Sequence, residues 1–259
     1  MQKRSKFPLI ITLTVLAFFY LPLICLVVQS FNGASFGGPW AGFSLRWYQR
    51  LFHERAVWNA LTNSLIIGIS ATIASTVLGT IAAFALYRYH GWLQKVHKGL
   101  MYAPLVMPDI LMGMSLLILF VAINFPLGLV TIFLAHTTFC LSYVTMVVLG
   151  RLQNFDYSTV EAAKDLGAGT WAVIWHVLIP ALSPAIITGG LLAFTLSIDD
   201  FVITFFVAGA GSTTLPLYVY SMIKFGAPPM INALSTLLLL ITFAVVAVAQ
   251  RFIMEFRKR

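Results

Sequence analysis

The chain has 259 residues, 60% of them hydrophobic and only 9% charged, with a mean hydropathy of +0.93. A soluble domain is about 45–50% apolar and about 25% charged, so this surface is too poor in charge for water. An ordinary soluble enzyme, a disordered chain and a nucleic-acid-binding domain are excluded. The net charge of +8, from 16 Lys+Arg against 8 Asp+Glu, reads as the basic excess that membrane proteins carry in cytoplasmic loops.

The natural unit of length is then the membrane-spanning helix of about 20 apolar residues. Six runs qualify: residues 7–28, 61–87, 100–123, 127–149, 185–207 and 233–252. None alternates in polarity as a barrel strand would, so the expected fold is an all-α membrane protein with six transmembrane helices. The first run follows Lys3, Arg4 and Lys6. It exceeds the about 7–15 residues of a signal-peptide core and lacks an A-x-A-like site, which predicts a retained first helix.

Orientation follows from the basic residues. With the N-terminus inside, one side holds Lys3, Arg4, Lys6, Arg88, Lys95, Lys98, Arg151, Lys164, Arg251, Arg257, Lys258 and Arg259, which is 12 of the 16. Arg46, Arg50, Arg55 and Lys224 fall on the other side. The split predicts both termini in the cytoplasm. The outer segments are then 29–60, a tight turn at 124–126, and 208–232. The inner ones are 88–99 and 150–184.

The first outer loop carries Gly37, Gly38, Trp40, Trp47, Tyr48 and Trp58. Such rings favour a membrane–water interface, and an amphipathic helix over 45–52 is expected to lie there; a partner-docking surface is the alternative. In the second run Ser75, Gly79 and Ala83 recur every four residues, which permits close helix approach. Cys25 and Cys140 lie in apolar runs and read as small hydrophobes. His136, in the fourth run, has no His or Cys companion, which predicts a helix–helix hydrogen bond and no metal site.

The inner segment 150–184 is the most organised. Ser158 with Glu161 three residues on forms a potential capping box for a helix over 159–166. Gly167 is suited to end it in a left-handed conformation. Thr170 is placed to cap a second helix that Pro180 stops, and Ser183 to cap the next span with Pro184 at its first position. Trp171, Val173, Ile174, Val177 and Leu178 are too apolar for a solvated linker, so this surface wants a partner.

Here the sequence resembles a known family. The run Glu161-Ala162-Ala163, three residues including Asp165, Gly167, nine residues, then Val177-Leu178-Ile179-Pro180 is similar to the EAA coupling loop of ABC importer permeases. It departs from the family's I-x-L-P ending only by Val177 and Ile179. The resemblance extends to Ala103-Pro104-Leu105-Val106-Met107-Pro108-Asp109, Leu134 to Cys140, Ser197-Ile198-Asp199-Asp200-Phe201-Val202, Thr214-Leu215-Pro216 and Asn232 to Thr236. These segments look like the second permease subunit of spermidine/putrescine importers. The resemblance implies a type I ABC importer permease architecture in a bacterial inner membrane. It implies coupling through Glu161, Ala162, Ala163, Asp165, Gly167 and Pro180. The implied partners are a homologous permease, two cytoplasmic ATPase subunits that hold ATP and Mg, and an extracytoplasmic binding protein. No cofactor and no nucleic acid is expected on this chain.

Three carboxylates lie in or beside spans: Asp109, Asp199 and Asp200. In the fifth run thirteen Leu, Ile, Phe and Val residues contribute about −4 to −8 kcal/mol of insertion, while two central aspartates cost about +5 to +7 kcal/mol. Those acids should face a cavity, a partner helix or a cation. A polyamine wants spaced carboxylates with aromatic faces between them, which Asp199, Asp200, Phe201, Phe205 and Phe206 could line. Asp109, after Pro104 and Pro108, would sit at a kink. The structural alternative is that Ser197-Ile198-Asp199-Asp200 caps a broken half-helix. Adjacent residues on a helix point about 100° apart, so both acids cannot face one path equally. Tyr218, Tyr220 and Lys224 follow Pro216 in the last outer segment, as an outer gate, as a binding-protein contact, or as interfacial Tyr with a snorkelling Lys.

No P-loop, H-E-x-x-H or G-x-S-x-G run occurs, so ATP hydrolysis is expected on a partner. Two other classes stay open: a stand-alone ion-coupled carrier, and an intramembrane aspartate enzyme. The adjacency of Asp199 and Asp200 weighs against the second, because a shared-proton dyad is presented from facing elements.

Overall fold

The computed structural model describes residues 7–35, 38–226 and 229–256. Lys3, Arg4, Lys6, Gly37, Arg257, Lys258 and Arg259, invoked above for orientation and for the outer loop, lie outside the described residues. The described chain is helical, with one isolated backbone bridge between Asn32 and Phe43. It divides into two compact units, Met1–Trp58 with Val219–Arg259, and Asn59–Tyr218.

The first unit holds α1 (Phe7–Ser30), α2 (Arg46–His53) and α12 (Met230–Phe256). α12 packs against both α1 and α2. α1 is apolar on every side, and its described side chains from Phe7 to Cys25 face outward. Such a helix needs lipid or another protein around it. The loop behind it is tied together by one side chain. Asn32 Oδ1 accepts from the amides of Ala34 at 3.1 Å and Ala41 at 2.9 Å. Its Nδ2 donates to Gln29 Oε1 at 2.9 Å. Its carbonyl accepts from Trp47 Nε1 at 2.9 Å. The amphipathic helix expected over 45–52 is α2, which buries Trp47 and Leu51 and leaves Arg46, Gln49 and Arg50 outside or partly so. Within the loop Phe31 stacks on Phe43 at 5.4 Å and lies 5.3 Å from Tyr48, whereas Trp40 and Trp58 remain exposed.

The second unit is built on α6 (Leu129–Gln153), which packs against α9 (Ile179–Asp199), α4 (Trp92–Val106), α10 (Val202–Val207) and α5 (Asp109–Ala122). Ile132, Ala135, Cys140, Val144, Val148 and Leu152 of α6 are fully buried. The small-residue stripe on α3 (Arg55–Arg88) does what its spacing predicts. A Cβ on Gly79 would stand 2.8 Å from Val144 Cβ, and Thr145 Oγ1 donates to the Gly79 carbonyl at 3.2 Å. Only glycine admits that approach of α3 to α6. Cys140 is buried and Cys25 exposed, both free thiols.

Four helical stretches are long and apolar enough to cross a membrane: Leu9–Ser30, Arg55–Arg88, Leu129–Gln153 and Thr170–Asp199. A fifth arises if α4 and α5, bent by 115° at their junction, count as one broken span; Met230–Ala244 is a shorter apolar helix. Two of the continuous runs read from composition are therefore interrupted. Residues 100–123 fall on two helices joined at Met107 and Pro108. Residues 185–207 are split after Asp199, and α9 starts earlier, within a helix running unbroken from Thr170.

That unbroken helix corrects three local expectations. Pro180 stops nothing, because the preceding turn, Ile174–Leu178, is π-helical: the Ile179 amide reaches back to the Ile174 carbonyl. The widened turn makes room for a ring that would otherwise strike the carbonyl four residues back. Thr170 does not cap; Gly169 occupies the cap position, without a side-chain bond. Ser183 does not cap a span either. It sits inside the helix and donates to the Pro180 carbonyl at 2.8 Å.

Candidate functional site

The two interruptions meet at one cavity of about 260 Å³. Pro104 and Asp109 line it from the first break, Leu196, Asp199, Asp200, Phe201, Val202 and Ile203 from the second, and Phe139 and Tyr143 from α6. The first break has a proline cause. Met107 is extended, at φ −71° and ψ 135°, because a residue before proline is pushed out of the helical region. α5 restarts at Asp109, whose side chain is exposed and makes no hydrogen bond to another described residue.

The second break contains no proline. Asp200 is extended, at φ −63° and ψ 125°, and its carboxylate satisfies the next helix. Oδ2 accepts from the Thr204 amide and hydroxyl, each at 2.8 Å, and Oδ1 from the Ile203 amide at 3.3 Å. His136 of α6 closes the joint from behind. Its Nε2 lies 3.2 Å from Asp200 Oδ2 and 3.0 Å from Thr204 Oγ1, and its Nδ1 lies 2.7 Å from Ser197 Oγ. His136, Ser197 and Thr204 are buried. With the proton on Nε2 facing the carboxylate, Nδ1 accepts from the Ser197 hydroxyl; a doubly protonated ring would donate to that same oxygen. One imidazole therefore grips the last turn of α9 and the first turn of α10 together.

The neighbouring acids are thereby separated. Asp200 is half-buried and fully engaged, whereas Asp199 is exposed at the cavity wall with no side-chain bond to another described residue. Phe201 lines the cavity; Phe205 does not, standing exposed with its ring 5.7 Å from Phe201 and 5.5 Å from Phe206. Tyr220 and Lys224 lie on the latter part of α11 (Leu215–Lys224), in the first unit, with Lys224 Nζ 5.9 Å from the Phe225 ring. Chemically the cavity offers two uncommitted carboxylates and three aromatic faces, the composition that attracts an organic cation. Sequence reading missed Phe139 and Tyr143; it expected a helix–helix hydrogen bond from His136, which the structure shows to Ser197 and Thr204, but not its contact with Asp200. The signal was present: 136, 139 and 143 fall on one face of a helix.

The segment between α6 and α9 is a second functional candidate. α7 (Ser158–Asp165) does not start with a capping box. Tyr157 holds the cap position, and Asp156 Oδ1 accepts from the Ser158 amide at 3.0 Å. Ser158 is already helical, so its hydroxyl is one residue too late to cap. The bonds from the Ser158 amide and side chain hold the Asp156 carboxyl below the usual carboxylate range. The end of α7 follows expectation. Gly167 has φ +86°, its amide donates to Lys164 O at 2.8 Å, and the Ala168 amide donates to Ala163 O at 3.0 Å, a complete Schellman motif.

Val160, Val173 and Leu178 form a small buried core there, with Ala163, Ala168, Ile174, Val177 and Phe84 of α3 packed on it. Val173 and Leu178 thus serve the segment itself and not a partner. What remains outward is Leu166 at 89% exposure, Trp171 at 75% and Trp175 at 61%, beside the exposed Glu161, Ala162, Asp165 and Pro180. Among the described residues no cluster of metal-ligating side chains occurs.

The comparisons with known proteins define the class. Residues 75–255 match the family of binding-protein-dependent transport system inner membrane components, and the chain belongs to that family. It is accordingly a multi-pass membrane protein of the ABC-transporter permease type. It is 40% identical over 236 residues to the spermidine/putrescine transport system permease protein PotC of Haemophilus influenzae, covering 91% of this chain and 92% of that one. It is 46% identical over 243 residues to the putrescine transport system permease protein PotI of Escherichia coli K12, covering 91% of this chain and 86% of that one. Its fold matches a subunit of a bacterial ABC transporter that imports the acidic polysaccharide alginate, with a TM-score of 0.73 at 17% identity, over 97% of this chain and 98% of that one.

Proposed function

We propose that this chain is a polyamine permease subunit of an ATP-driven importer, passing spermidine or putrescine from an extracytoplasmic binding protein to the cytoplasm. The observation that carries the reading is the cavity with Asp109 and Asp199 exposed on its wall among Phe139, Tyr143 and Phe201. The identities of 40% and 46% to permeases named for these substrates support the same chemistry. A polyamine end group is an ammonium on an apolar stem, and it needs a carboxylate at the charge and an aromatic face along the methylenes. At about 260 Å³ the cavity falls just below the about 300–1,000 Å³ of a complete ligand site. It suits one end of such a substrate, with a homologous permease completing the path.

In this reading the six runs, including the third, broken between α4 and α5, and the fifth, broken between α9 and α10, cross the membrane with both termini inside, in a type I importer arrangement. The exposed Leu166, Trp171 and Trp175 with Glu161, Ala162, Asp165, Gly167 and Pro180 dock on one of two ATPase subunits, which bind ATP and Mg. α7 is fixed at both ends, by Asp156 and by Gly167, and it rests on Phe84 of α3. A rigid docking element transmits displacement into the helices that carry the two breaks, giving alternating access. Tyr220 and Lys224 contribute at the outer side.

The test is uptake of labelled spermidine and putrescine by cells expressing all subunits, with co-purification of the ATPase as the assembly check. A Glu161→Arg, Gly167→Pro variant is expected to lose both the ATPase and uptake. An Asp199→Asn variant is expected to assemble normally and transport poorly. Undiminished uptake by the loop variant would refute the importer reading in favour of a stand-alone carrier.

A further inference from the structure

Two cavities adjoin where α3 ends, away from the acidic one. One, of about 240 Å³, is lined by Leu86, Tyr87, His90, Gln94, Lys98, Leu149 and Gln153. The other, of about 440 Å³, is lined by Tyr87, Arg88, His90, Tyr157 and Lys164. Tyr87 and His90 belong to both. We propose that together they form a site for a phosphate group, held by Arg88, His90, Lys98 and Lys164, and that the headgroup of an anionic lipid supplies it.

Three independent features point there. The first is charge. No carboxylate lines either cavity, and the sequence from Arg55 to Pro108 contains no Asp or Glu. Among the described residues no ion pair engages Arg88, Lys98 or Lys164. Asp156, the carboxylate nearest Tyr157 in sequence, is committed to the Ser158 amide. The second is form. Tyr87 and Tyr157 stack at 5.8 Å with their planes 25° apart, and Gln94 Nε2 donates to the Leu86 carbonyl at 2.8 Å, so the walls are held before any ligand arrives. Each cavity far exceeds the about 30 Å³ of one water. The third is depth. Arg88 ends an apolar helix of 34 residues, and Tyr89 and Trp92, on either side of the bend at Gly91, are 70% and 73% exposed. Exposed Tyr and Trp at the end of an apolar helix mark the level of lipid headgroups. Basic pockets between helices at that level bind phosphate-bearing lipid headgroups.

Lys164 sits on α7 and Tyr157 at its cap, so such a lipid would touch both α3 and the coupling segment. The site does not depend on which solute is carried.

The experiment uses the whole transporter complex, purified in neutral detergent, with retained lipids quantified by mass spectrometry. Wild type is expected to retain phosphatidylglycerol or cardiolipin over phosphatidylethanolamine. Arg88→Gln with Lys98→Gln should cut that retention at least about tenfold with the same ATPase co-purifying, and Arg88→Lys with Lys98→Arg should restore it. A second arm needs no variant: delipidated wild type is titrated with short-chain phosphatidylglycerol or with inorganic phosphate, and thermal stability is followed. A rise with the lipid alone supports a headgroup site; an equal rise with inorganic phosphate supports the phosphate site but assigns it to a free anion. Equal anionic-lipid retention by wild type and the charge-removed variant, or no thermal shift with either titrant, overturns the proposal.

Discussion

The two breaks that frame the acidic cavity look alike in outline and differ in cause. Between α4 and α5 the backbone turns by 115° because Pro108 forbids continuation, and Asp109 is left exposed. Between α9 and α10 nothing in the backbone forbids a helix; the break is held by side chains, with Asp200 capping forward and His136 bridging from α6. A proline break is local and survives the loss of any neighbour. A clamped break depends on three elements at once, and it is the one that sets Asp199 at the cavity wall. Gly113 joins the two, since a Cβ there would come 2.7 Å from Phe206 Cδ2 and 3.3 Å from Ile203 Cα, so α5 and α10 are packed closely together.

The largest expected effect is at the clamp. His136→Ala takes the ring partner from Asp200 and from Ser197 while the Ile203 and Thr204 donors remain, a loss of about 1.5–3 kcal/mol for a hydrogen bond to a charged group. The complex should melt earlier and transport little. The sharper version replaces both partners: His136→Leu with Asp200→Leu should regain much of the stability, because an apolar pair avoids the desolvation cost, yet remain poor in uptake because α10 has lost its cap. If stability and uptake return together, the clamp does not position the cavity.

Asp199→Asn comes next. It breaks no side-chain bond to another described residue, so stability should hold within about 0.5 kcal/mol. Loss of one charge-assisted contact of about 1.5–3 kcal/mol should weaken apparent polyamine affinity by about 10- to 100-fold. Asp109→Asn, at the proline break, should leave the bend intact and weaken uptake by a smaller factor. An effect of Asp109 on assembly would erase the distinction between the breaks.

Smaller still is Gly167→Ala, where φ +86° costs an L-residue about 1–2 kcal/mol. Retention of the ATPase should fall while uptake per assembled complex stays near normal. Smallest is Asp156→Ala, read as faster proteolysis of residues 154–160. The folded carboxyl lies below its usual range, so the cap is in full force at neutral pH and fades only as pH falls through that lowered value. Wild type should therefore approach the variant's proteolysis rate only in acid.

How legible all this was in the sequence varies by residue. Gly79, Gly167 and the helix over 45–52 were readable, because glycine spacing, a left-handed helix end and one-sided apolarity are local signals. Pro108 announced its break. Pro180 and Ser158 misled, each for a local reason that a neighbour overrode. A π-helical turn admits the ring of Pro180, and Tyr157 takes the cap position with Asp156 binding the Ser158 amide, which leaves Ser158 inside the helix. Val173 and Leu178 were apolar enough to suggest a partner, but their partners are Val160 and Phe84.

The solvent of this protein, its family through the loop spacing from Glu161 to Pro180, and the presence of three carboxylates in or beside apolar runs were all legible along the chain. Those are matters of composition and of fixed intervals along one chain. Which aspartate is committed was settled by packing. Asp199 and Asp200 are chemically identical neighbours, and they diverge because His136, some sixty residues away, is carried by α6 to within 3.2 Å of one and not of the other. No pattern along the chain encodes that distance; it exists only once α6, α9 and α10 are packed.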